Sequence, residues 1–424
     1  MNSFKMTHNI LFWFFLIAFR FILDYSYISF VIPVYAYEGY VLDYKAINYI
    51  TSWLLYIPSF YLVRDRLLKP SDYFFLTAVL AVYAPLTSYY ALTGYSVYPL
   101  LLNLLSFFSI YLLINTQLVR VIKLNPYKGG RRFSFSISLI SIAILIFWYI
   151  VSGAVNYFNL DFSKVYDYRA LSSEVANVGI MSYFNGWVYN VFIVFAIAYS
   201  LLHKKYYITL GLVLVQVFFF GVSAHKTVFF TPIIVLSLWW YFRKYSSVLF
   251  MVISFSSILL LAIALYRYQN NIFFGSLFVR RVFFVPAKLT YEYVVFFQEF
   301  KFIYWSNSVL DWLFDYPYDD RMTKIVAYAN GSNASANNGY IASGFAHFGV
   351  FGIVIYSYII AFLLKNIDNL PKYGVPLWFI LCLIVTPMRS FLISSDLPTG
   401  LLTHGFLLAF LLLLLSKNST RNQI

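Results

Sequence analysis

Four stretches of this sequence carry polar residues able to bind anions or move protons, within a chain that is otherwise apolar. The first holds Arg267, Arg280, Arg281 and Lys288, with no acid between positions 267 and 288. A guanidinium matches phosphate oxygens through paired hydrogen bonds, so a lipid phosphate or pyrophosphate is the natural ligand of such a segment. Contact with ordinary lipid headgroups is the alternative. The second is Ser223-Ala-His-Lys-Thr227, a short turn between two apolar stretches. His225 and Lys226 there could touch phosphate or serve as acid or base, although a lysine at a span end also snorkels to the surface without further role. The third is Val165-Tyr-Asp-Tyr-Arg169, with Arg169 flanked by Asp167 and Glu174. Alone it reads as a local ion pair, worth about 0–1 kcal/mol when exposed.

The fourth runs from Asn330 to Gly352, an Asn-rich polar segment entering an apolar one that contains Gly344, Gly349 and Gly352. Asparagines such as Asn338 have both donors and an acceptor for sugar hydroxyls, and small residues at a helix mouth admit close backbone approach. His347 is expected one turn inside the apolar run, as a general base or as a histidine hydrogen-bonded within the bundle. The sequons at Asn330 and Asn333 are too common a pattern to assign glycosylation. Arg20 and Asp24, spaced i, i+4, share a helix face and are read as a structural pair. Arg389 and Asp396 are polar groups without a clear assignment.

The elements that position these residues follow from composition. Of 424 residues, 62% are hydrophobic and 11% charged. A water-soluble fold and intrinsic disorder are both excluded by those values. Twelve stretches suit a crossing of about 30 Å of hydrocarbon. They fall near 10–32, 47–63, 73–92, 97–114, 135–155, 184–202, 206–222, 228–242, 247–266, 341–364, 375–392 and 399–415. The expected fold is therefore all-α: a polytopic membrane protein of about twelve transmembrane helices, forming one domain over 1–424. Arg20 and Asp24 interrupt the first apolar run, which is read as a signal anchor and not as a cleaved signal.

Orientation comes from the 30 Lys and Arg residues. With both termini in the cytoplasm, the inner segments hold 17 cations against three acids, Asp65, Asp72 and Asp368, and so carry the whole net charge of +14. The outer segments hold 12 cations and 12 acids. The positive charge thus calls for no nucleic-acid partner. Two outer loops are long, about 156–183 and about 267–340, the latter between spans 9 and 10. Loops of the second size are usually functional or mobile. Lys288–Phe302 and Ser308–Phe314 within it are amphipathic enough to lie as short helices on a membrane surface. The single cysteine, Cys382, excludes an internal disulfide and a cysteine metal site. P-loop, HExxH and EF-hand patterns are absent, and intramembrane acids are nearly lacking apart from Asp24, which weakens an ion-coupled transporter reading.

With those residues in view, the chain resembles the O-antigen polymerase family. The likeness rests on the overall topology and on Val165–Arg169, Ser223–Thr227, Arg280–Ala287 with Tyr291 and Phe297, and Asn338–Gly344 with Gly349 and Gly352, in that order. The resemblance implies a metal-independent glycosyltransferase of the bacterial inner membrane with its active site facing the periplasm and no cofactor. Its partners would be undecaprenyl-pyrophosphate-linked oligosaccharide donor and acceptor, membrane lipids and a chain-length regulator protein. On that reading Arg280, Arg281 and Arg267 stabilise the pyrophosphate leaving group, with Arg169, Lys226, Lys288 and Arg389 as further anion contacts. His347 or His225 takes the acceptor proton, and Tyr291 and Asn338 bind substrate. An O-antigen ligase, or a flippase or exporter of lipid-linked oligosaccharides, are the competing readings.

Overall fold

The computed structural model describes residues 2–162, 164–308 and 310–418. Arg421 lies outside the described residues, as do the side chains of Lys5, Tyr166 and Asp167. Among the described residues the chain is helical, without a named strand. Eight helices among the described residues are long and apolar enough to cross a membrane: Ile10–Glu38, Pro70–Thr93, Tyr98–Asn115, Gly130–Val151, Met181–Leu202, Tyr206–Ser223, Leu249–Gln269 and Tyr340–Tyr373. Lys226–Phe242, Leu377–Ile393 and Phe406–Leu415 are shorter apolar helices. The stretch expected to span at 47–63 is an α-helix over Ala46–Tyr56 followed by a 3-10 turn, Ile57–Leu62. Pro58, which has no amide hydrogen to offer, marks the change. Side chains such as Phe14, Leu54 and Leu261 are about 60% exposed; apolar surface of this extent suits contact with lipid.

The chain divides into two compact units. One comprises 1–120, 246–362 and 391–397; the other comprises 121–245, 363–390 and 398–424. In the first unit, Ile10–Glu38 packs on Leu249–Gln269 and on the second half of Pro70–Thr93. Three π-helical segments, Tyr27–Val31, Val79–Tyr83 and Gly275–Phe284, interrupt the α geometry there, and the last packs on the other two. An inserted residue of this kind re-aims the side chains around it, which is why π turns gather at sites. Far from being an open loop, the segment after Leu249–Gln269 continues as this π segment and then as the helix Val285–Glu299. That helix buries Tyr291, Tyr293, Val294 and Phe297, so it belongs to the unit's core and not to a membrane surface. The stretch from 310 to 314 forms turns and a bend, not the surface helix expected.

The segment expected as a single span at 341–364 is broken. Phe348 (φ −142°) and Gly349 (φ 60°, ψ −142°) leave helical geometry in mid-run, the latter in a region open only to glycine. Gly344 and Gly352 then meet backbone to backbone, with no room for a Cβ at Gly352 beneath the Gly344 carbonyl. Ser106 Oγ bonds both Tyr340 Oη and Ser357 Oγ at 2.7 Å. Pairing 340 with 357 and 344 with 352 makes the two limbs a close antiparallel hairpin.

In the second unit, helix Val165–Ala176 is tied to the end of Tyr206–Ser223 by Ser172 Oγ, which donates to Val222 O at 2.6 Å. Pro232 inside Lys226–Phe242 cannot donate to Val228 O. Gln216 does so instead, its Nε2 reaching Val228 O at 3.1 Å and Tyr189 O, within the π-helical segment Val188–Phe192, at 3.2 Å.

Candidate functional site

The cluster of greatest chemical interest lies in the first unit, where the helix Ile10–Glu38 ends. Its last turn is 3-10 (Ala36–Glu38), and Gly39 follows with φ 82°, so the chain turns sharply and leaves the Glu38 carboxylate projecting. Arg280, on the π segment, donates from Nε to Glu38 Oε2 at 2.9 Å and from Nη2 to the same oxygen. Its guanidinium also lies 4.4 Å from the Tyr35 ring centroid. Burial works against the Arg280 charge, but its hydrogen bonds to the Glu38 carboxylate, with Tyr40 close by, outweigh it and raise its pKa. From Val285–Glu299, Lys288 Nζ donates to Glu38 O at 2.6 Å and pairs with Glu292 Oε1 at 2.9 Å.

The result is a chain of alternating charge, Arg280, Glu38, Lys288, Glu292, that is neither buried nor open: side-chain exposures are 16%, 29%, 18% and 10%. Tyrosines wall it. Lys288 Nζ is 5.4 Å from the Tyr40 ring, and Tyr40, Tyr27, Tyr89, Tyr95 and Tyr291 follow with centroid separations between 5.4 and 6.4 Å. Tyr95, 40% exposed, is the outward member. A guanidinium, an ammonium and aromatic faces in one half-open cluster can hold an anionic group attached to a ring or chain.

Tyr291 and Asn338 take more interior places than expected. Tyr291 is 3% exposed, its ring tilted against those of Tyr89 and Tyr95. Asn338 is 6% exposed; its Nδ2 donates to Thr290 Oγ1 at 3.2 Å and its Oδ1 accepts from Gly339 N at 2.7 Å. Arg267 is exposed, 5.2 Å over the Tyr25 ring, and Arg281 is exposed with no acidic partner among the described residues.

His347 belongs to a different network of the same unit. It ends the first limb of the hairpin and is 1% exposed. The backbone amide of Trp305 donates to Nδ1 at 3.2 Å, which makes that nitrogen the acceptor and leaves the hydrogen on Nε2, directed at Asp396 Oδ2, 3.1 Å away. Asp396 Oδ1 also accepts from Tyr356 Oη at 2.8 Å and Leu397 N at 2.7 Å, and Trp305 Nε1 donates to Tyr356 Oη at 2.8 Å. Burial raises the Asp396 carboxyl, but the hydrogen bonds from His347, Ser343 and Tyr356 prevail and hold it below the ordinary value. Both ring nitrogens of His347 are thus committed within the protein. Ile303 N and Tyr304 N donate to Ala346 O and His347 O at 3.0 and 3.1 Å, capping the broken helix.

Arg169, His225, Lys226 and Arg389 all fall in the second unit. Ser223–Thr227 is the turn expected: Tyr206–Ser223 ends, Ala224 adopts φ 54°, and Lys226–Phe242 begins. Burial, with help from the Arg169 charge, depresses His225 to about 4. Arg169 and Arg389 are exposed. Sequence reasoning missed Glu38, Glu292, Tyr35 and Tyr40. Glu292 had a signal, its i+4 spacing from Lys288 on a predicted helix; Glu38, 242 positions from Arg280, had none. No family model, curated protein or solved structure matches the chain.

Proposed function

We infer that the chain is a twelve-span inner-membrane glycosyltransferase with both termini cytoplasmic. It would extend a glycan held on a polyprenyl pyrophosphate by transfer onto a second lipid-linked repeat unit at the outer face. The observation that carries this reading is the Arg280–Glu38–Lys288–Glu292 cluster. A carboxylate already occupies the Arg280 guanidinium, and phosphate oxygens ask for the same donors. A pyrophosphate arriving from the lipid would displace Glu38 and meet fixed cations where leaving-group charge develops. Tyr95, the outward member of the tyrosine wall, offers a ring face to a sugar. The charge asymmetry of the loops supports the orientation, since the +14 lies on the segments assigned to the cytoplasm.

The test is elongation of a lipid-linked repeat unit by the purified full-length protein in lipid nanodiscs, read as a ladder of products. Arg280→Ala should lower elongation by at least about 100-fold, a loss typical of removing one donor at a developing negative charge. Arg280→Lys should recover only part of it, a point charge replacing a fork. No ladder from the wild-type protein with any lipid-linked substrate would overturn the reading. A product formed only on a lipid A-core acceptor would replace polymerase by ligase.

A further inference from the structure

The proposed transfer needs a group to take the proton of the attacking hydroxyl, and His347 is poorly placed to do so. Its Nδ1 is filled by the Trp305 amide, its Nε2–H is turned to Asp396, and its side chain is 1% exposed. Within the first unit, the Arg280 cluster itself holds a second carboxylate, Glu292. Glu292 Oε1 lies 2.9 Å from Lys288 Nζ, and that same ammonium lies 2.6 Å from the Glu38 carbonyl, so Glu292 and the residue that binds Arg280 meet on one nitrogen. The Glu292 side chain keeps 10% of its surface exposed, which leaves the carboxylate open to the half-open cluster.

We propose that Glu292 is the general base of the transfer, a step that rests on the glycosyltransferase reading. The acceptor hydroxyl oxygen attacks the anomeric carbon of the donor. The carbon–oxygen bond to pyrophosphate breaks with its electron pair moving onto the pyrophosphate oxygen, held by Arg280 and Lys288. The hydroxyl proton passes to the Glu292 carboxylate. The charged and titratable groups around this carboxyl are Lys288 on its own helix, Glu38 and Tyr40 after the first span, Arg280 on the π segment, and Tyr89 and Tyr293. Burial raises the Glu292 carboxyl and Lys288 offsets part of that rise, a balance that keeps a carboxylate available while increasing its basicity.

The experiment compares wild-type and Glu292→Gln protein in nanodiscs for three readouts: thermal unfolding, binding of undecaprenyl pyrophosphate, and elongation rate against pH. Glu292→Gln should fold and bind the pyrophosphate within about twofold of wild type, yet elongate about 100- to 10,000-fold more slowly, without the acid limb of the wild-type profile. Elongation within about threefold of wild type, or an unchanged acid limb, overturns the assignment while leaving the function standing. If the wild-type protein elongates nothing, function and base fall together. Should Glu292→Gln not fold, Glu292→Asp decides instead. Its carboxylate, set back by one methylene, should slow elongation at least tenfold with the acid limb retained, and an unchanged rate overturns the proposal.

Discussion

Removing one partner of the Arg20–Asp24 pair should destabilise the fold far more than removing both. Arg20 is 0% exposed, and its guanidinium bonds Asp24, Thr87 Oγ1 at 2.7 Å and Ser52 Oγ at 3.3 Å beneath the Trp53 ring. After Asp24→Asn those hydroxyls remain, but the guanidinium has lost its counter-ion and does not release its proton. The expected cost is about 3–5 kcal/mol at any pH near neutrality. Arg20→Met leaves the Asp24 carboxylate buried with only the Ser88 and Tyr49 hydroxyls, at 2.5 and 3.1 Å, and should cost a similar amount. Arg20→Met/Asp24→Leu, with no charge left, should lie within about 1 kcal/mol of wild type or above it. Equilibrium unfolding in mixed micelles, arranged as a double-mutant cycle, measures these differences. Single variants that each cost under about 1 kcal/mol and add in the double would refute the reasoning.

Two further outcomes are expected of the second unit. Gln216→Leu strips the donor from Val228 O and Tyr189 O and should cost about 2–4 kcal/mol, seen as a fall in Tm in detergent; adding Pro232→Ala returns an amide donor to Val228 O and should recover part of it. His225 sets a pH dependence: the unfolded imidazole takes up a proton below its ordinary 6.5, the folded one only near 4. Stability should therefore be level above pH 6.5 and decline as pH falls to 4, by as much as about 3 kcal/mol, and His225→Gln should flatten that decline.

What could be read in the sequence was what local spacing encodes. Arg20 and Asp24 pair as their i, i+4 spacing requires, Ser223–Thr227 turns where the apolar runs stop, and the amphipathic stretch from 288 becomes the helix Val285–Glu299. Its environment was misjudged, because an apolar face turned to a protein core and one turned to lipid have the same periodicity. The hairpin at Gly349 was hidden for a related reason: glycine is common in membrane helices, and hydropathy does not register a reversal between two apolar limbs. The π segments leave no period at all. The cluster's cations were legible from Arg280 and Lys288, but the carboxylates that hold them were not seen together, since Glu38 is brought to Arg280 only by packing of the first span helix against a π segment.

The hairpin also bears on how the chain is threaded through a bilayer. A biosynthetic machinery that reads hydropathy meets Tyr340–Tyr373 as one apolar stretch of 34 residues. Its residues 340–347 run opposite to the limb that starts at Val350, and eight helical residues rise only about 12 Å, well short of about 30 Å of hydrocarbon. The crossing limb therefore begins at Val350, not at Tyr340. If Lys365 and Lys372 mark its cytoplasmic end, the first limb climbs toward the outer face, and the Asn-rich strand before it must already have descended below that face. Non-helical backbone survives at such depth only when protein satisfies it. Ala336 N donates to Thr323 O at 2.9 Å, Ala336 O accepts from Tyr293 Oη at 2.8 Å, and the Asn338 side chain covers the Gly339 amide. On that orientation, insertion of this region would have two stages, a span delivered by its hydrophobicity and a polar segment drawn in afterwards by the hydrogen bonds waiting for it.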